Sequence, residues 1–110
     1  MQIPGADRAI VESTKVRDYL LSPEHPVGRF KAVFFNALGY SREDWPRLQA
    51  DLLVLAASED PTIGQASGYG QKYEVRGRLQ GPEGRSAEIV SVWIILAGEE
   101  VPRFVTAYPD

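Results

Sequence analysis

The sequence has 110 residues and a mass of 12.2 kDa, the size of one domain with a real core. Its 44% hydrophobic and 25% charged content is that of a folded chain, and the absence of cysteine excludes disulfides, thiolate zinc sites, iron–sulfur clusters and a cysteine nucleophile. A net charge of −3 counts against a broad nucleic-acid-binding face, since such binding sets many lysines and arginines against phosphates. Residues 1–57 carry seven basic and seven acidic side chains, and residues 58–110 five and eight. A small basic pocket stays open to it.

The apolar runs Leu52 to Ala57 and Val92 to Ala97 are too short to cross a membrane, so no membrane partner is expected. The start, Met1-Gln2-Ile3-Pro4-Gly5, has neither a basic region nor an apolar stretch; no signal peptide and a cytoplasmic location are expected. We read residues 1–110 as a single domain: a helical half over about 13–57, a loop over 58–70 and a sheet over about 71–108.

In chain order, Ser13 or Thr14 can cap a short helix whose apolar side is Val16, Tyr19 and Leu20. Pro23 and Pro26 interrupt it, and Pro26 suits the first turn of the next helix. There Phe30, Val33, Phe34, Ala37 and Leu38 form an apolar stripe, with Gly39 as the stop. Ser41 and Asp44 form a capping pair ahead of a third helix with the stripe Trp45, Leu48, Leu52, Leu55 and Ala56. After the loop the period changes from 3.6 to 2. Tyr73, Val75 and Leu79 alternate with charged residues, and Gly77 marks a bulge or a close backbone approach. Ala87 to Ala97 reads as a central strand and Arg103 to Tyr108 as the last, with Ile10-Val11 available as a fourth, short strand. The predicted fold is α+β: N-terminal helices on one face of a three- to four-stranded antiparallel sheet.

Few residues can carry chemistry. One histidine, no cysteine and adjacent rather than converging carboxylates give no metal site, and no nucleotide loop or nucleophile elbow is present; neither metal nor cofactor is expected. His25 precedes a helix N-terminus, where a neutral imidazole beside a bound phosphate is a sensible general base; it can equally cap the helix or lie in solvent. Lys31 lies on the margin of the apolar stripe, able to meet an anion or simply to lay its stem along the core. In the last strand Phe104, Thr106 and Tyr108 share one face, and the two hydroxyls can bind a phosphate or serve only as strand formers. Tyr69 and Tyr73, flanking Lys72, can stack on a base, although Tyr73 also fits the core alternation.

Four ordered blocks carry a resemblance. The segment Leu20 to Ala32, with His25-Pro26-Val27-Gly28-Arg29-Phe30-Lys31-Ala32 at its centre, resembles a bacterial domain family marked by His-Pro-x-Gly-Lys/Arg-x-Lys-Ala. Tyr69-Gly70-Gln71-Lys72-Tyr73, the turn Gly81-Pro82-Glu83-Gly84, and Trp93-Ile94-Ile95 with Pro102 to Pro109 match its later marks. That family is found stand-alone and at the C-termini of polymorphic toxins of the contact-dependent inhibition type, and its ending resembles the barnase–EndoU–colicin–RelE ribonucleases. The resemblance implies a toxin-like protein of a toxin–antitoxin-like pair, an RNA endonuclease working without metal, and a small cognate antitoxin or partner protein. Its implied catalytic residues are His25, Lys31, Arg103, Thr106 and Tyr108; Tyr69 and Lys72 are the substrate-binding candidates from the reading of the residues above. A non-enzymatic immunity or interaction module on the same fold is the alternative, and a small-molecule binder using the sheet face a further one. Geometry separates them: an enzyme requires His25, Lys31, Thr106 and Tyr108 to meet in one cleft.

Overall fold

The computed structural model describes residues 2–110, so of the expected domain only Met1 lies outside the described residues. Helix α1 (Ser13–Lys15) runs directly into a π-helical turn, Val16–Leu20, closed by the Leu21 N–H on the Val16 carbonyl at 2.9 Å. Two longer helices follow, α2 (Gly28–Ala37) and α3 (Trp45–Ser58). Strands β1 (Pro61–Ser67), β2 (Gly70–Gln80), β3 (Ser86–Leu96) and β4 (Arg103–Pro109) then form an antiparallel meander in the order β1-β2-β3-β4. The α+β class, with helices N-terminal to the sheet, is as the sequence predicts.

The helices cover one sheet face. Leu48, Leu52, Leu55 and Ala56 of α3 are buried with Val75, Ile89, Trp93, Phe104 and Ala107 of the sheet. Gly77 is a close approach: a Cβ there would run into Leu55 and Glu59, so α3 crosses β2 where no side chain intervenes. Ser91 is the one polar group among these strand positions, accepting from Trp93 Nε1 at 2.9 Å and donating to the Val75 carbonyl at 3.0 Å.

Four expectations need correction. The segment 58–70 is not a loop, because α3 runs to Ser58 and residues 61–67 form edge strand β1. It carries no alternating pattern because nothing covers it and its six residues after Pro61 are all exposed; backbone pairing alone makes it a strand. The apolar stripe of α2 is turned away from the core. Gly28, Ala32, Phe35 and Leu38 are buried, Phe34 is half-buried, and Phe30 and Val33 are 69% and 72% exposed. The reason is Gly28: a Cβ at that position would collide with the Tyr19 carbonyl, so the glycine side of α2 is the side that can close on the π-helical turn. Helix α3 begins at Trp45 rather than Ser41, whose hydroxyl accepts the Asp44 N–H at 3.2 Å in the turn before it. Finally, Ile10 makes a single parallel bridge to β4 instead of a strand, accepting the Phe104 N–H at 2.9 Å.

Candidate functional site

The geometry of the site begins with the π-helical turn. Its wider winding keeps Val16 and Leu20 fully buried while rotating Tyr19 toward the β4 edge. There the Tyr19 hydroxyl lies 2.9 Å from Thr106 Oγ1, and either oxygen can donate. The bond joins residues 87 positions apart.

Next along the chain, His25 caps α2. Its Nδ1 accepts the backbone N–H groups of Val27 at 3.1 Å and Gly28 at 2.9 Å, groups with no partner inside the helix. The ring stands edge-on to Tyr19, with centroids 5.0 Å apart and planes at 76°. Because Nδ1 spends its lone pair on the cap, the neutral ring carries its proton on Nε2. A general base needs a lone pair facing the substrate, and here the free nitrogen is a donor. The role this arrangement supports is donation from Nε2–H to an anion, not the proton abstraction expected from the sequence.

Two ammonium groups complete the surroundings. Lys15 Nζ and Lys31 Nζ lie 5.7 Å and 6.0 Å from the centre of the Tyr19 ring, close enough for cation–π attraction. Among the described residues neither has a carboxylate within ion-pair distance. Asp18 does reach the site but is neutralised: Arg17 holds it at 2.9 Å and Arg42 at 3.0 Å. Hydrogen bonds from Arg17 and then Arg42 lower its carboxyl to about 2, so it stays ionised at neutral pH without presenting an unpaired charge. The result is a cleft of about 600 Å3 walled by Lys15, Tyr19, His25, Val27, Val105 and Thr106.

The residues singled out in the sequence thus divide. His25 and Thr106 line this cleft, and Lys31, half-buried on α2, approaches it through Tyr19. Tyr108 does not line it. The register jumps between Val92/Trp93 and their partners, leaving Val105 as an extra residue in β4. Phe104 therefore points into the core with Ala107, whereas Thr106 and Tyr108 occupy the opposite face, Tyr108 beside Val90. The expectation that Phe104 shares a face with the hydroxyls fails for that reason. Arg103 is engaged elsewhere, with Glu99 at 2.9 Å and Glu12 at 3.5 Å, and its hydrogen bond to Glu99 raises its pKa. Tyr69 is exposed at the β1–β2 turn, and Lys72 lines a separate trough on the open sheet face. Tyr19 and Lys15 were missed. In the sequence Tyr19 reads as one more apolar position of a helix, and its hydroxyl was the only signal.

No group of three or more histidine or carboxylate side chains able to hold a metal ion occurs among the described residues, nor does a helix long and apolar enough to cross a membrane. Among curated proteins, no sequence matches this chain significantly. Its fold is similar to a chain of a solved structure described as "Contact-dependent growth inhibition toxin - immunity protein complex from Klebsiella pneumoniae 342", with a TM-score of 0.71 and 16% identity over 92% of this chain and 99% of that one. At that identity the likeness is one of fold. Residues 2–110 match the family described as Domain of unknown function (DUF6883), and the chain belongs to that family.

Proposed function

We propose that this chain is a toxin-type module that binds an RNA phosphodiester in the cleft around Tyr19 and cleaves it without a metal ion. The observation that carries the reading is the Tyr19–Thr106 hydroxyl pair, with two ammonium groups near the Tyr19 ring and a fixed imidazole donor against it. Lys15 and Lys31 offset the phosphate charge, and His25 Nε2–H donates to a non-bridging oxygen as negative charge grows there. The ribose 2′-oxygen attacks phosphorus and the bond to the 5′-oxygen breaks. The 2′ proton passes to Thr106, the Thr106 proton to Tyr19, and the Tyr19 proton to the departing 5′-oxygen. Each hydroxyl gains and loses one proton, so the relay needs no separate base. The fold likeness to a chain of a toxin–immunity complex supports placing this chemistry in a toxin system.

A second reading, a non-enzymatic module that binds a cognate protein, is favoured by one feature. Val27, just ahead of α2, and Phe30 and Val33 on it are exposed apolar side chains, with Arg29 between them in sequence and no acidic residue on that helix. Two copies of α2 would bring like charges together, so these side chains suit an acidic protein better than a second copy of this chain.

The test is incubation of the purified protein with total bacterial RNA in excess EDTA. Wild type should yield fragments ending in 2′,3′-cyclic phosphate, while Tyr19→Phe and Thr106→Val should each slow the reaction about 100-fold or more. Intact RNA after wild-type treatment, or equal cleavage by all three proteins, removes the ribonuclease reading and leaves the binding module.

A further inference from the structure

The cleft does not end at Thr106. Val105 and Thr106 also wall a second depression of about 430 Å3, which lies on the sheet face that no helix covers. Its floor crosses all four strands: Thr106 of β4, Val92 of β3, Glu74 and Lys72 of β2, and Gly64 with Gln65 of β1. Thr106, Val92 and Glu74 stand in one register row, so the trough runs across the strands. At about 4.8 Å per strand spacing, four strands give a path of roughly 14 Å beyond the β4 edge.

Both irregularities of the sheet border this trough. In β4 the extra residue is Val105, and in β1 the register breaks between Ile63 and Ala66, at Gly64 and Gln65. The β1 break is pinned from below. Gln71 Nε2 donates to the carbonyls of Gly64 at 2.9 Å, Lys72 at 2.9 Å and Gln65 at 3.4 Å. Bulges bend a strand and re-aim its side chains, and two of them facing one depression mark a shaped surface. Its charge is also arranged. Arg76 is shared between Glu74 at 3.0 Å and Asp110 at 3.6 Å, while Lys72 has no ion-pair partner among the described residues. What remains is a mixed lining, apolar at Val92 and Val105 and polar at Thr106 and Gln65, with Lys72 as its one cation.

From this geometry we infer that the trough is the path of a single-stranded RNA leaving the Tyr19–Thr106 cleft, with Lys72 meeting a phosphate one or more nucleotides from the scissile one. The inference rests on the reading of that cleft as an RNA site. An extended single strand suits an uncovered trough that crosses the four strands along one register row, whereas a duplex would meet a face carrying too few cations.

The probes are fluorescein-labelled 2′-O-methyl oligouridylates of three and eight nucleotides, which the relay cannot cleave because the attacking hydroxyl is blocked. Anisotropy titrations should show the longer probe binding at least about tenfold more tightly. Lys72→Glu should collapse that ratio toward one, and Lys72→Ala should lower the slope of log K against log salt by about 0.7, the value for one lost single-strand phosphate contact. Arg8→Glu, the same charge change away from the trough, should preserve the ratio. Equal binding of both probes by wild type, or a ratio insensitive to Lys72, overturns the path. The outcome separates from that of the cleavage assay: cleavage with no length advantage removes the trough alone, and length-dependent binding without cleavage removes the relay alone.

Discussion

The two faces of the sheet are built by different rules. On the covered face Val75, Ile89, Trp93, Phe104 and Ala107 are buried at 4% exposure or less, and the one polar side chain, Ser91, has both its bonds made. On the open face Lys72, Glu74, Arg76 and Thr106 stand among the half-buried Val92 and Val105 and the buried Val90, and the bonds of Glu74, Arg76 and Thr106 are surface ion pairs or reach across the sheet edge to Tyr19. Burial makes the first face indispensable to the fold. Lack of a cover makes the second available for recognition, because a surface ion pair contributes little to stability and can be traded for a ligand.

Adjacent residues of β3 offer the sharpest way to break that contrast. Trp93→Ala removes the largest buried side chain and should cost about 3–5 kcal/mol, a large share of the 5–15 kcal/mol typical of a domain. Val92→Ala, one position along and on the open face, should cost about 1 kcal/mol. Urea unfolding of the two variants reads the difference directly, and equal losses would contradict the division of faces.

Where the faces meet, Gly28 couples packing to the site. A methyl group there meets the Tyr19 carbonyl, so Gly28→Ala should cost about 1–3 kcal/mol and displace His25 and Tyr19 from one another. The expected signature is a lowered melting temperature together with a loss of the proposed RNA binding. A stable variant with unaltered binding would mean that the π-helical turn moves freely against α2.

The smallest effect concerns pH. The carboxyl of Asp18 titrates at about 2 in the folded protein and near the ordinary 3.8 when unfolded. Its partners Arg17 and Arg42 thus stabilise the fold above the unfolded value, and that contribution disappears as pH falls from about 4 to about 2. Melting temperatures of wild type and Asp18→Asn should differ at pH 6 and draw together at pH 2. A gap that stays constant would show that the Asp18 pairs do not act through charge.

Much of the scaffold was legible from residue spacing. The α3 stripe and the alternation of β2 each satisfy one period and only one, and the apolar run of β3, bounded by turn residues, reads as a central strand by its length; each lies where it is expected. Strand β1 was illegible, since an exposed edge strand has no inward face and so leaves no alternation to read. The orientation of α2 was misread for a related reason. Phe30, Val33 and Ala37 compete with Ala32, Phe35 and Leu38 on the same helix, and a helix apolar on two sides does not announce which side is inner. His25 and Thr106 were recognisable as chemistry-bearing types; the direction of the imidazole's lone pair was not, because it depends on backbone groups two and three residues ahead.

By itself, then, the sequence determined what local periodicity and capping can determine: the class of fold, the inward stripe of α3, three of the four strands, and a histidine at the start of α2. Tertiary structure alone decided which face of α2 is inward, where Val105 shifts the register of β4, and that Tyr19 meets Thr106. The physical reason is range. A period or a cap is settled by neighbours a few residues away, whereas a contact across 87 residues exists only after every intervening element has packed.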